Sequence, residues 1–571
     1  MTDAAAAINL AWTLSTEGRH EAAEPAWRRA AELDPRNAAV WGNLGATLAK
    51  LQRADEAEGC FRKVLEIDPG DIPALRNLTV ILRGQGRLDD ARELFAAARG
   101  RGLPADLVAP AELALRVVNR SRAEIAEERA AYAEGLRNLR ALPGPLVYDG
   151  EPFGLQAFYL AYHALDDRPL MEETASTFRA KIAGLDHASP NATAPRGDGR
   201  IRVAFVSDNL NNHTIGHLYR GIVRHLDRAR FEVAVVHGAY SRRDAFRDSV
   251  DAAADEAVVL RPGLAAQRAQ IAALRPDIVF YPDIGMSAPS YFLAHSRLAP
   301  VQATAWGHPD TTGLSSLDYF ISTELFEPAG GAAHYTEQLA TIPRIPCCFD
   351  PPEPPPAVSR EAAGLPATGT LYGCPQTLFK LHPDFDAVLA AIAQGDPEGH
   401  IVLPAADQPG WTAAVEARWR ETFPILLERV RWTPRIEPEA FLAQLAHFDV
   451  LLDPLHFGSG YTFYLAMTHG VPMVTWPGEF ARGRVVAGAY RQMGVGQELV
   501  AASPADYAGL ALKLGRDPGR RAKLRTELHR AARDHLFSDL AAVEQLGDLF
   551  AAAVEAARRG ERLAPAGPGC G

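Results

Sequence analysis

Apolar positions in residues 1–103 recur at helical spacing, and the pattern as a whole repeats about every 34 positions. Leu10, Leu44 and Leu78 share one column; Ala23, Ala57 and Ala91 a second; Trp27, Phe61 and Phe95 a third. Asn9, Asn43 and Asn77 keep the same step, as do Arg19, Arg53 and Arg87, and Pro35 with Pro69. Small alanines let paired helices approach, aromatics fill the space between them, and proline closes each second helix. The spacing predicts a stack of about three helix–turn–helix units.

Between Pro104 and Leu185 the helical pattern continues but the long period fades. The segment Arg122–Leu142 is charged and alanine-rich, whereas Phe153–Leu165 is apolar at helical spacing and is predicted to pack against a neighbour. The Pro/Gly-rich stretch His187–Arg200 reads as a linker. From Ile201 short apolar runs alternate with helical segments. Ile201–Ser207, Phe231–His237 and Pro276–Ile284 predict strands of a parallel, doubly wound sheet. The proline-rich Phe349–Pro366 predicts a hinge to a second lobe. There the strands are a run from Thr370 ending near Gln376 and Lys380, then His400–Ala406, Glu428–Ile436, Phe448–Pro454 and Val471–Pro477. Helices follow over Pro504–Arg559, and the tail Leu563–Gly571 reads as disordered. The expected domains are 1–103 repeats, 104–197 helical connector and linker, 198–360 first lobe, and 361–571 second lobe with the terminal helices.

The richest chemistry lies between Phe448–Pro454 and Val471–Pro477. A Gly458-Ser459-Gly460 turn follows the strand, Thr462 opens a helix, and Gly470 ends it. Strand, glycine turn, helix and strand form a βαβ unit whose helix N-terminus suits a phosphate.

Composition narrows the function classes. The 571 residues carry a formal charge of −11, which argues against nucleic acid as the main partner. Five cysteines without a CxxC spacing indicate neither a disulfide framework nor a zinc site, and fit a reducing cytoplasm. The first residues have no basic start and no cleavable apolar core. No apolar run reaches the ~18 residues that cross a bilayer, so a cytoplasmic protein without membrane insertion is expected.

Five motifs in order resemble the O-GlcNAc transferase family: IRVAFVSDNLNNHTIGHL, LAPVQATAWGHPDTTG with LDYFIS, QTLFKLHP, DPLHFGSGYTF and GVPMVTWPGEFARGRV. The repeats resemble tetratricopeptide repeats, and Gly307–Pro309 also looks like the soluble bacterial N-glycosyltransferases of that family. The resemblance implies an α-helical repeat module followed by a GT-B fold of two Rossmann-like lobes. It implies an inverting, metal-independent transferase that moves a sugar from a nucleotide-sugar, most simply UDP-linked such as UDP-GlcNAc, to a protein side chain. The repeats would hold a protein or peptide acceptor. No cofactor is implied beyond the nucleotide-sugar substrate, and association of copies stays open.

By the same resemblance His213 stands at the mouth of the first strand-loop as a proposed base, and Lys380 neutralises the leaving diphosphate. Donor-binding positions are Gln376, Arg435, Ile436, Gly458, Ser459, Gly460, Tyr461 and Thr462; His308, Thr311 and Gln302 fall on the sugar or acceptor side. Arg484 matches a family arginine. The chain departs from the family in having Leu465 where an acidic residue commonly holds the ribose, Gly460 where O-GlcNAc transferase has histidine, and Pro438 and Phe441 in the base-reading loop. These departures leave open a different donor, such as the CMP-linked sugar of a flagellin-type transferase, and a non-enzymatic scaffold on a degenerate transferase body.

Overall fold

The computed structural model describes residues 3–99, 113–146, 148, 156–193, 195–197 and 199–564. The chain divides into two compact units: Met1–Val117 with Ala130–Leu146 and Gln408–Trp411, and Val118–Arg129 with Val147–Asp407 and Thr412–Gly571.

Within the first unit the predicted repeats are antiparallel helix pairs: Asp3–Thr16 with His20–Leu33, Ala38–Lys50 with Ala54–Ile67, and Ile72–Gly84 with Leu88–Arg99. Asn37 and Asp71 start their helices by accepting the N–H groups of Val40 and Ala74. The alanine column is fully buried, as are Trp27, Phe61, Leu44 and Leu78. Gly45 lets two helices close up, since a Cβ there would stand 3.0 Å from the Phe61 ring. Leu10, in the outermost helix, is exposed. The Phe95 side chain and residues 100–112 lie outside the described residues.

The second unit holds two parallel sheets. The first comprises β1 (Ile201–Ser207), β2 (Phe231–His237), β3 (Glu256–Val259), β4 (Ile278–Tyr281), β5 (Val301–Ala305), β6 (Tyr319–Thr323) and β7 (Gln338–Ile342), in the order β3-β2-β1-β4-β5-β6-β7. The second comprises β8 (Leu371–Gly373), β9 (His400–Pro404), β10 (Val430–Thr433), β11 (Val450–Leu452) and β12 (Met473–Val474), in the order β10-β9-β8-β11-β12. Strand order reverses between β1 and β4 and between β8 and β11. At such points the carboxyl ends splay and leave a crevice for a ligand.

The strands β1 and β2 keep their predicted limits and pair from Ile201 opposite Phe231. Others are shorter because polar groups take over at their ends. Ahead of β4, Asp277 accepts the N–H groups of Arg196 and Arg202. After β11, Asp453 accepts the Ser459 N–H. The apolar segment before Leu165 forms a 3-10 helix, Gln156–Tyr162, and Phe153 lies outside the described residues. The proline-rich crossing 349–366 contains no helix and pairs only through Phe349, which bridges Phe537; the Ser538 N–H donates to the Phe349 carbonyl at 2.9 Å. The chain therefore crosses between lobes twice. Its final helix, Leu540–Arg558, packs on the first lobe, with Phe550 5.4 Å from Phe280. Tail residues 565–571 lie outside the described residues. Among the described residues no helix is long and apolar enough to cross a membrane.

Candidate functional site

The loop after β8 and the turn after β11 meet at Lys380. Its ammonium donates to Gln376 Oε1 and to the Gly458 carbonyl, both at 3.0 Å, and stands 4.8 Å from the centre of the Phe457 ring. Gln376 Nε2 in turn donates to Ser459 Oγ at 3.0 Å. Burial pushes the lysine down to about 8, against the pull of the Asp453 carboxylate. Burial likewise pushes Asp453 up to about 6, although it accepts from Thr475 Oγ1 and the Ser459 N–H, each at 2.6 Å.

The N–H groups of Gly458 and Ser459 are taken by the Arg482 carbonyl and by Asp453. The turn leads into the helix Tyr461–Met467, where Gly460 occupies the capping position and its carbonyl accepts the Phe463 N–H at 2.9 Å. Thr462 is half-buried at the second position of that helix.

The first lobe closes over this helix start. His217 stacks on Tyr461 with ring centres 5.1 Å apart, and the Phe349 ring lies 5.8 Å from Tyr461. A Cβ on Gly460 would come 3.7 Å from Trp306. His213 caps the helix Thr214–His225 by accepting the Ile215 N–H on Nδ1 at 3.3 Å. That bond leaves the proton of the neutral ring on Nε2, so His213 offers a donor rather than a free base. Burial lowers its proton affinity, and burial, then Arg220, takes His217 down to about 4.

A block of aromatic rings fills the space beside Lys380. Tyr162 stacks on Phe457 at 4.4 Å and tilts against Phe379 at 4.7 Å; Phe158 stacks on His308 at 5.1 Å. The connector thus reaches the site, a placement its apolar spacing did not reveal. His308 is buried over Gly285, where a Cβ would lie 2.8 Å from Nδ1, and burial takes it down to about 4.

The glycosyl transferase family 41 model matches residues 179–350 and 348–545, and a tetratricopeptide repeat model matches residues 8–72. The chain belongs to glycosyl transferase family 41. It is 26% identical over 348 residues to a rice protein called probable UDP-N-acetylglucosamine–peptide N-acetylglucosaminyltransferase SPINDLY, covering 58% of this chain and 36% of that one. It is 26% identical over 253 residues to a UDP-glucose:protein N-beta-glucosyltransferase of Actinobacillus pleuropneumoniae, covering 43% of this chain and 40% of that one. The match therefore spans well under half the length of these curated relatives. A mutant O-GlcNAc transferase from Thermobaculum terrenum has the same fold, with a TM-score of 0.71, 24% identity and 98% of each chain covered.

Three further residues of the family-like motifs are engaged by the protein's own groups. Gln302, expected on the sugar side, is fully buried at the start of β5 and bonds the Leu298 N–H and the carbonyls of Ser296 and Ser316. Thr311 is equally committed, donating to Glu337 at 2.8 Å and accepting from the Thr336 N–H at 3.0 Å. Arg484 donates to the carbonyls of Phe326 and Gly478. Arg435 is exposed and pairs with Asp407 at 2.7 Å, and Ile436 is half-buried beside it in the loop after β10. Leu465 is buried in the helix Tyr461–Met467.

Several buried polar groups of this family 41 chain sit in no distinctive motif. Arg482 is buried and donates to Asp310 and Asp167, both at 3.1 Å, and to the Leu165 carbonyl at 2.6 Å. It joins the connector and both lobes. Burial, then the adjacent Asp167 charge, pushes the Asp310 carboxyl well above the usual carboxylate range. Burial acts the same way on Asp167, but the guanidiniums of Arg482 and Arg129 outweigh it and keep Asp167 ionised. At the β1/β4 crevice Asp283 accepts from Ser207 Oγ at 2.9 Å and Asn209 Nδ2 at 2.6 Å, and burial takes it up to about 7. His163 is buried with neither ring nitrogen hydrogen-bonded, and burial takes it down to about 4.

Proposed function

We propose that the protein is an inverting, metal-independent glycosyltransferase that moves a sugar from a nucleotide-sugar, most simply UDP-linked, to a protein side chain. The meeting of the Lys380 ammonium with the Gly458–Thr462 turn, under the first-lobe residues His217 and Trp306, carries this reading. Inverting transfer builds negative charge on the departing diphosphate. A fixed cation and a helix N-terminus therefore stabilise the transition state more than the bound donor. The His213 Nε2–H group supplies a further donor at the mouth of the β1 loop. The repeats are the acceptor-binding module, in keeping with the protein and peptide acceptors in the names of the relatives.

The buried Leu465, in place of a ribose-holding acid, favours a second reading: a donor other than UDP-GlcNAc, including a CMP-linked sugar. Incubation of the full chain with a panel of UDP-, GDP- and CMP-sugars and a cell extract tests both readings. One donor should give a sugar-sized mass increase on an extract protein, absent in Lys380→Met. If no donor works and calorimetry shows no nucleotide binding, the chain is a scaffold.

A further inference from the structure

Behind the Gly458 turn, His382, Asp384 and His456 each present one ligand atom, all within 4.8 Å of one another. His382 caps the helix Pro383–Gly395 and Asp384 is that helix's second residue. His456 lies between β11 and the turn at φ 72°, a left-handed backbone that histidine adopts only where its surroundings hold it there. His456 Nε2 is 2.7 Å from Asp384 Oδ2, and His382 Nδ1 is 3.3 Å from the same oxygen. The two rings meet edge-on at 4.6 Å. His382 Nδ1 accepts the Asp384 N–H at 3.2 Å, so in the neutral ring it carries no proton, and a cation bound there would take its one lone pair from that capping bond.

The present counter-charge is Arg122, which grips Asp384 through Nε at 2.7 Å and Nη2 at 2.6 Å while its own side chain is 75% exposed. A guanidinium on so exposed an arm can swing off into water without uncovering buried surface.

We propose that His382, Asp384 and His456 bind a borderline divalent transition cation of the Zn²⁺, Co²⁺ and Ni²⁺ class, in competition with Arg122. Two imidazole nitrogens and one carboxylate oxygen are the donor set these ions prefer, with water completing a four-coordinate site. Mg²⁺ and Ca²⁺ require more oxygen ligands than this cluster supplies. The cation has no part in sugar transfer. Because His382 follows Lys380 by two residues and His456 precedes Gly458 by two, it clamps together the two turns that meet at the Lys380–Gly458 hydrogen bond.

The test is titration of the full chain, stripped with chelator and free of any histidine tag, with Co²⁺ followed by visible d–d absorption and then by displacement with Zn²⁺. The wild type should take up one equivalent with a four-coordinate spectrum. Arg122→Ala, which removes the competitor, should bind several-fold more tightly, and His456→Ala about tenfold or more weakly. Absence of the spectrum in both the wild type and Arg122→Ala overturns the proposal, as does equal affinity in His456→Ala. Should His456→Ala fail to fold, the exposed Arg122→Ala decides, and affinity no greater than that of the wild type overturns the site.

Discussion

Lys380 Nζ lies 3.0 Å from the Gly458 carbonyl, across the point where the strand order of the second sheet reverses. The bond joins two loops more than seventy residues apart in sequence. It holds an ammonium group at the mouth of a glycine turn, with Phe457 beneath it and only one hydrogen-bonding position left over. A lysine so enclosed is poorly placed for stability, and under the proposed function its remaining donor position is the one that would meet a diphosphate.

Replacing that lysine should separate catalysis from folding. Lys380→Met keeps the stem but removes the charge, and turnover at saturating donor should fall by about 10²–10³. The melting temperature should hold or rise, because an amine whose ionisation is opposed by burial has been removed. Turnover and calorimetric melting on the same preparation check both halves.

The lowered proton affinity of Lys380 sets a pH dependence. The free protein loses this charge as pH rises through about 8, while an unfolded chain keeps it to 10.5. Native protein binds fewer protons than unfolded protein across that window, so this group makes stability rise with pH there. Nucleotide diphosphate affinity should do the opposite: level below pH 8, then falling by up to about tenfold per unit. Isothermal titration between pH 6.5 and about 9.5 should show the fall in the wild type and a flat profile in Lys380→Met.

Around Arg482 the two acids should respond differently to the same change. Burial and the Asp167 charge both oppose ionisation of Asp310, so Asp310→Asn should cost under about 1 kcal/mol. Asp167 is the ionised partner of two guanidiniums, and Asp167→Asn should cost about 3–5 kcal/mol. Urea unfolding of both variants, followed on the tryptophans of the two-lobe unit, measures the contrast.

The repeats should be separable from the donor site. Gly45→Val places methyl groups against Phe61, where a Cβ alone would already be 3.0 Å from the ring, and should cost about 1–3 kcal/mol in that unit. Nucleotide affinity should stay unchanged while transfer to a protein acceptor falls. Limited proteolysis should show cuts confined to residues 1–99.

The legible parts of this chain were those where a local pattern dictates a local shape. Continuous apolar runs such as Ile201–Ser207 have no other stable home than a buried strand, and the alanine and aromatic columns of the repeats permit few other packings. Lys380 and the glycine turn were legible because each sits in a distinctive motif. Arg482 was not, since its function depends on Asp167 and Asp310, which lie far away in sequence. The internal bonds of Gln302 and Thr311 were hidden for the complementary reason. A polar residue near a strand or turn looks available for a ligand until the backbone groups that occupy it are seen. The apolar spacing of Phe153–Leu165 predicts packing against a neighbour, but spacing alone could not show that Phe158 and Tyr162 reach His308 and Phe457.

Phe349 and Phe537 lie on the two chain crossings between lobes, and they pair with one another. A single proline-rich tether would let one lobe tumble freely about the other. Here an isolated bridge ties the two crossings at one point, so any movement of one lobe against the other must bend the chain on both sides of that tie at once.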